Sequence, residues 1–353
     1  MFLQSIATAN PPQSLTQTQC WEKVLGADAT RATLNRRSQL TLRTILHGDS
    51  GINSRQFAVA DLSRIFKMDT DELNTEFRRA APALAAAALQ PALDRAGVTA
   101  PEIDALVICT CTGYLCPGVT SYVAEQLGLR SDAYLQDLAG LGCGAAIPAL
   151  RAVDGILARD PQAVVACIAV EVCSAAFYLD DDLGVLISAC LFGDGAAATI
   201  WKSAPQPGQL RCFGFDTHHD PAHRDEIRFE HRNGKLRNLL TPAVPDLAAD
   251  AVALLHQRAI QQLDAKPISR IIPHTGGKDV IDAIAAKFPG YDFSPTREIL
   301  RRHGNMSSPS VLFALEHALR NDQPTPDQDW WLTAFGAGFS AHSCRLGNTG
   351  KEA

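Results

Sequence analysis

A layered α/β fold is the class this sequence predicts, and three observations carry it. Residues 103–111, 164–173 and 196–201 are almost continuously apolar over strand length, the mark of strands buried on both faces. Ala- and Leu-rich stretches of helical length accompany them. The second half then repeats the plan of the first. Residues 268–277 follow the layout of residues 103–113: a short strand, polar residues and a glycine turn, with a helix after it. The chain has 353 residues, 46% of them hydrophobic, enough to bury a large core in one large or two intimate units.

In chain order, the first hundred residues read as helical after an irregular start. Asp69-Thr70-Asp71-Glu72 is a helix start, and residues 80–96 form an Ala- and Leu-rich helix that stops at Gly97. Residues 246–263 are an amphipathic helix, and residues 330–335 and 340–346 are strands around the turn Gly336-Ala337-Gly338. Pro205, Pro207 and Gly208 mark a split near residues 203–210, giving an N-terminal half 1–205 and a C-terminal half 206–353. A site shared by such halves lies where strand ends meet helix N-termini.

The net charge of −6 offers no basic stripe to neutralise phosphates, so nucleic acid is not an expected partner. No run of ~18 apolar residues is present, so no membrane insertion is expected. The start Met1-Phe2-Leu3-Gln4-Ser5-Ile6 lacks the basic and long apolar regions of a signal peptide. Ten cysteines without such a signal point to reduced thiols in the cytoplasm. Cys109, Cys111 and Cys116 do not have zinc-knuckle spacing. Pro221 breaks any helix that would align His219 with His223, and the stretch from His218 reads as a solvated loop. No metal or cofactor is expected.

The most informative position is Cys143, in Leu141-Gly142-Cys143-Gly144-Ala145-Ala146. Two glycines free the backbone around it, and residues 145–157 read as a buried helix. A thiol at a helix N-terminus is biased toward the thiolate, the form of a nucleophile; the plain alternative is a small core cysteine. His274 ends a strand before Gly276-Gly277, and Asn305 opens a small-residue loop before a helix at 311–319. All three stand at junctions leading into helices.

Gly142-Cys143-Gly144-Ala145, Pro273-His274-Thr275-Gly276-Gly277 and Gly304-Asn305-Met306-Ser307-Ser308 together resemble the nucleophile, histidine and asparagine motifs of the type III polyketide synthases, the chalcone and stilbene synthase family of the thiolase superfamily. Leu191-Phe192-Gly193-Asp194-Gly195 resembles the gatekeeper segment, with Phe192 at the gating position. Gly336-Ala337-Gly338-Phe339 resembles the C-terminal glycine loop lining the pocket, and Thr8-Ala9-Asn10-Pro11 is similar to the family's start. The resemblance implies a five-layered αβαβα thiolase fold, a homodimer, and coenzyme A thioesters as substrates. A starter acyl group would move from acyl-CoA to Cys143, and malonyl-CoA would extend it by decarboxylative condensation before cyclisation to a pyrone or resorcinol-type product. Thiolate–imidazolium pairing with His274 would ionise Cys143. His274 and Asn305 would donate hydrogen bonds to the enolate oxygen.

The chain also departs from plant members. Leu236 or Arg237 falls where a second gating Phe is found, and Arg237 there is a candidate contact for a coenzyme A phosphate. Arg55 falls among the cations of the coenzyme A entrance; its plain alternative is a solvated surface arginine. Cys111, Cys173 and Ala176 fill pocket positions that are Thr in many plant members, and Cys116 falls near the residue that reaches into the partner's pocket. These smaller side chains predict a pocket extended toward a tunnel for a fatty acyl starter. One alternative is a ketoacyl-ACP synthase III-like enzyme making one condensation. The Gly-Asn-Met-Ser-Ser motif disfavours it, and no basic docking patch is obvious. The other alternative is a Cys-His-Asn hydrolase of acyl thioesters.

Overall fold

The computed structural model describes residues 1–25, 31–205, 208–262 and 265–350. The strands are β1 (Phe2–Ala9), β2 (Gln13–Thr16), β3 (Ser54–Phe57), β4 (Ala105–Cys109), β5 (Tyr134–Leu138), β6 (Val165–Glu171), β7 (Gly195–Lys202), β8 (Leu210–His219), β9 (Ile227–Arg232), β10 (Lys235–Leu240), β11 (Ile268–Pro273), β12 (Asp329–Gly336) and β13 (Ser340–Asn348). The α-helices are α1 (Gln17–Cys20), α2 (Arg36–His47), α3 (Thr70–Ala96), α4 (Val119–Leu127), α5 (Ala146–Arg159), α6 (Leu183–Leu191), α7 (Val244–Ile260), α8 (Lys278–Lys287), α9 (Ser294–His303) and α10 (Ser310–Leu319).

Nine strands join in the order β11-β12-β13-β8-β1-β7-β6-β4-β5. The repeat read in the sequence is visible in how they pair. β1 is antiparallel to β7, β7 to β6, and β6 runs parallel to β4. In the same way β8 is antiparallel to β13, β13 to β12, and β12 runs parallel to β11. Among the described residues the two sets pair only where Phe2 and Leu3 meet Arg211 and Leu210. The boundary expected at 205/206 abuts residues 206–207, which lie outside the described residues.

Side-chain alternation builds the layers, because successive strand residues face opposite sides. On β6, Val165, Cys167 and Ala169 pack with Ile147 and Leu150 of α5 and with Leu312 of α10. The intervening Ala166, Ile168 and Val170 join the core of α3, with Ala85 and Leu89. On β12, Trp330, Leu332 and Ala334 share the core of α5 and α10, while Trp331 and Phe335 face Leu255 of α7 and Ile281 of α8. Helices α5 and α10 therefore lie between the two strand sets, with α3 outside one and α7 and α8 outside the other. The result is the five-layered αβαβα arrangement of a thiolase-like fold.

Local signals explain the helix ends. Asp69 caps α3 and forms a reciprocal capping box with Glu72, and Gly97 closes the helix at φ 62°. The start of the chain differs from the sequence reading. Residues 2–9 are not an irregular lead-in but β1, in the middle of the sheet. His218 and His219 lie not in a loop but at the end of β8. Among the described residues no helix is long and apolar enough to cross a membrane.

Arg345 and Asp329 lock β13 to β12 in the interior. Both are buried, with Arg345 Nε donating to Asp329 Oδ2 at 2.8 Å. Arg345 Nη1 also donates to the Ala259 carbonyl at 2.9 Å, and Nη2 donates to that of Lys266. Removing one partner leaves an uncompensated buried charge. Asp329→Ala is expected to destabilise the fold by about 3–5 kcal/mol. Equilibrium urea unfolding measures this, and a loss below about 1 kcal/mol would show that the pair does not hold the strands.

Candidate active site

Cys143 sits in a single 3₁₀ turn, Gly142–Gly144, immediately before α5. The turn is pressed against the end of β12 from the other half. A Cβ on Gly336 would stand 2.6 Å from the Gly144 nitrogen and 2.7 Å from the Leu141 oxygen. Gly142 has φ 58°, and a Cβ there would meet the Ala337 nitrogen at 3.0 Å. Glycine is needed on both sides because the two backbones nearly touch.

His274 follows β11 directly. Its backbone N–H donates to Thr333 of β12 at 2.8 Å, and its ring stands edge-on to Phe335 at 5.3 Å. Asn305 is stitched to the gatekeeper segment: its N–H donates to the Leu191 carbonyl, and its own carbonyl accepts from Gly193, each at 3.0 Å. Its side-chain Oδ1 accepts from the Ser307 N–H at 2.7 Å, which leaves the two Nδ2–H donors for other partners. Cys143, His274, Asn305 and Phe192 all line one cavity of about 680 Å³.

Burial opposes the ion pair expected between Cys143 and His274. Burial pushes the Cys143 thiol up to about 12 and outweighs any benefit from the start of α5. Its Sγ accepts one weak hydrogen bond, from Ser307 Oγ at 3.3 Å. Burial likewise pushes His274 down to about 3, and neither ring nitrogen has a hydrogen-bond partner. Burial thus disfavours the charged form of both side chains.

A buried carboxylate behind the thiol was missed from the sequence. Glu171, at the end of β6, is fully buried, and burial raises its pKa. It accepts from the N–H groups of Cys111 and Thr112 at 3.0 and 3.1 Å, from Thr112 Oγ1 at 2.8 Å and from Ser308 Oγ at 2.6 Å. Ser307 Oγ lies between Glu171 Oε1, at 3.4 Å, and Cys143 Sγ. Its single proton serves one of them at a time. The available signal was one acid in an otherwise apolar run, 164–173.

Beyond Phe192, which lines both spaces, lies a second chamber of about 40 Å³. Cys173, Ala176 and Ala337 line it, as the sequence reading placed them. Phe177 and Phe229 also line it, so small side chains at three positions are offset by aromatic ones beside them. Cys111 is not in this wall; its Sγ reaches Glu171 and Ser307, each at 3.3 Å, and Thr112 lines the chamber instead. Cys116 is exposed and lines neither space. Gly336 supports the nucleophile turn, Gly338 lies beside His219, and Phe339 stacks on Phe335 in the outer core of the C-terminal half.

Neither arginine assigned to coenzyme A reaches the entrance. Arg55 is 1% exposed. Its Nε donates to Gln17 at 3.0 Å, and Nη1 donates to the Ala189 and Phe192 carbonyls, each at 2.8 Å. It closes the C-terminal end of α6, whose last carbonyls lack helical partners. Arg237 is also buried, with Nε on Asp180 at 2.8 Å, Nη1 on Glu230 at 2.9 Å and Nη2 3.6 Å from Asp182. Three carboxylates occupy it, so no phosphate is needed to balance its charge.

Residues 14–211 match the family model described as FAE1/Type III polyketide synthase-like protein, and residues 259–347 match that of the 3-oxoacyl-[acyl-carrier-protein (ACP)] synthase III C terminal. A 1,3,6,8-tetrahydroxynaphthalene synthase of Streptomyces peucetius subsp. caesius is 29% identical, covering 96% of this chain and 90% of its own length. A 3,5-dihydroxyphenylacetyl-CoA synthase of Streptomyces toyocaensis is 29% identical over 79% of this chain and 74% of its own. The crystal structure of PKS-I from the brown alga Ectocarpus siliculosus superposes with a TM-score of 0.89 at 22% identity, covering 98% of each chain.

A neutral resting thiol has a direct readout. Alkylation of the Cys143 peptide by iodoacetamide, followed by mass spectrometry, is expected to accelerate about tenfold per pH unit from pH 7 to 10, because only the thiolate reacts. The sign follows from the upward shift to about 12: the thiolate is scarce throughout this range. A rate that levels off below pH 8 would instead show a thiolate already formed at rest.

Proposed function

This chain belongs to the FAE1/type III polyketide synthase-like family and is a condensing enzyme of the acyltransferase type, and we propose that it builds a small cyclised polyketide from a short acyl-CoA starter and malonyl-CoA. The observation that carries this reading is the convergence of a thiol, an unpartnered imidazole and an anchored amide on one cavity. In the first step the Cys143 thiol attacks the starter thioester. Its proton passes by way of His274 to the departing coenzyme A thiolate. The Cys143 S–C bond forms as the coenzyme A S–C bond breaks.

Malonyl-CoA then enters the emptied cavity. As CO₂ leaves, the electrons of the broken C–C bond move into an enolate on the thioester oxygen. Asn305 supplies Nδ2–H donors there, and neutral His274 supplies a ring N–H. The enolate carbon attacks the acyl group on Cys143, and the thiolate leaves, takes up a proton and is ready to be reloaded. Repetition and ring closure follow in the larger cavity shared by Cys143, His274 and Asn305.

Chamber size supports a short starter. A volume of about 40 Å³ holds about three waters, far short of a fatty acyl chain. The names of the relatives, a tetrahydroxynaphthalene and a dihydroxyphenylacetyl-CoA synthase, point the same way, to compact polyhydroxylated aromatics. The working form is proposed to be a homodimer. β5 ends the sheet with a free edge, and Tyr134 and Leu135 on it are 56% and 37% exposed. Ten free cysteines fit a reducing cytoplasm.

Pure protein incubated with malonyl-CoA, alone and with acyl-CoA of two to twelve carbons, tests this by mass spectrometry of products. An aromatic or pyrone polyketide from malonyl-CoA alone or from the shortest starters is expected. Selective use of the long starters would restore the fatty acyl reading. A single β-ketoacyl product would favour the ketoacyl-ACP synthase III-like reading, and free acid alone a hydrolase. Cys143→Ala is expected to abolish the acyl-enzyme. Asn305→Ala is expected to lower kcat by about 10²–10³-fold, and an effect on KM alone would remove Asn305 from the chemistry.

A further inference from the structure

The β9–β10 hairpin is a sheet of two strands, and among the described residues no ladder joins it to the nine-stranded sheet. Two strands alone are marginal in water, so side chains must hold this hairpin in place. Its tip rests on the start of α3, where Lys235 Nζ donates to the Met68 carbonyl and Thr70 Oγ1 donates to that of Asn233 at 3.4 Å. Its end meets α6, where a Cβ on Gly184 would stand 2.2 Å from the Leu240 oxygen. Between these points the tie is ionic and centres on Arg237. Glu230, its partner at 2.9 Å, lies directly opposite it in the hairpin. Asp180 and Asp182, at 2.8 and 3.6 Å, belong to the segment that leads into α6. Asp182 is also the N-cap of α6, accepting from the Gly184 and Val185 N–H groups at 2.9 and 3.3 Å.

This tie stands next to the wall of the inner chamber. Phe229 and Asn238, the residue pair beside Glu230 and Arg237, line that chamber from the hairpin. Val185, Ser188 and Ala189 line it from α6. The chamber of about 40 Å³ is thus bounded by two elements that Arg237 holds together. Arg232 also reaches Asp180, at 3.6 Å, but its side chain is 56% exposed and its pull is screened by solvent. Arg237 is buried, and its planar fork bonds carboxylates of both elements at once, a geometry no point charge reproduces. We propose that Arg237 is a specificity-determining positioning residue, which clasps the hairpin to α6 and so keeps the chamber at the size of a short starter. Without it Asp180, Asp182 and Glu230 are left to repel one another, the hairpin parts from α6, and longer acyl chains fit on Cys143. The inference rests on the loading reaction proposed above and names the residue that limits its starter.

Loading of Cys143 from acetyl-CoA and from octanoyl-CoA, followed by intact-protein mass spectrometry, tests the inference. In Arg237→Met the ratio of kcat/KM for octanoyl-CoA to that for acetyl-CoA is expected to rise about tenfold. Loading from acetyl-CoA is expected to stay within about twofold of the wild type. The short donor reports on folding and on Cys143, so a damaged variant cannot imitate the change in ratio. Asp180→Asn, which leaves Glu230 and Asp182 on Arg237, is expected to shift the ratio the same way by less, and it takes the place of Arg237→Met if that variant does not fold. An unchanged ratio, or an equal loss with both donors, would make Arg237 a merely structural residue and overturn the inference, as would a wild type that already prefers octanoyl-CoA. If neither donor loads the wild type, the condensing reading fails instead. Backbone hydrogen exchange then decides the clasp alone: faster exchange of both residues 227–240 and 183–192 in the variant sustains it, and a change confined to the hairpin, or none, ends it.

Discussion

The backbone contact between the end of β12 and the turn at Cys143 is the constraint on which the site depends. Cys143 belongs to the N-terminal half, whereas His274 and Asn305 belong to the C-terminal half. They share a cavity only because Gly336 lets one strand end approach the 3₁₀ turn to a distance no Cβ would tolerate. The same approach places Ala337 in the wall of the inner chamber. The loop therefore acts as a hinge pin between halves as much as a pocket lining. Its glycines are explained by that role before any substrate is considered.

Burial is the second organising fact: it drives Cys143 up and His274 down and so disfavours the charged form of each. Glu171 contributes to this state. Its negative field adds to the upward shift of Cys143, and Ser307 connects the two through one hydroxyl. Ser307 has φ 59°, an uncommon conformation for a serine, held between the Asn305 side chain and the Ser310 N–H. The asparagine motif thus positions a hydroxyl behind the thiol as well as an amide in front of it.

Much of this was legible before the structure. Long apolar runs reported strands buried on both faces, and the three junction motifs reported where reactive groups stand. What escaped has identifiable causes. β1 mixes Gln, Ser and Thr with apolar residues, and its central place comes from partners almost two hundred residues away, such as Ala198 opposite Ala7. The β9–β10 hairpin was readable from Asn233-Gly234, which take φ 52° and 76° at its turn. Phe229 on that hairpin and Asn238 opposite it close the inner chamber. Arg55 and Arg237 misled because sequence position says where a side chain starts and not which carbonyls or carboxylates claim it.

Arg55 anchors the segment that carries Phe192. Its guanidinium holds the Ala189 and Phe192 carbonyls from one side. From the other side Asn305 accepts the Gly193 N–H and donates to Leu191. Asp194, the next residue, receives the N–H groups of Ala58 and Ser174 at 2.6 and 2.8 Å. Burial lifts Asp194 to about 6, and its hydrogen bonds with Ser174 and Ala58 are what keep it from rising further. The backbone from 189 to 194 is thus fixed to three separate elements. Phe192 lines both cavities, and with its main chain bound on both flanks the proposed gating falls to rotation of its ring, which leaves the backbone of Asn305 in place.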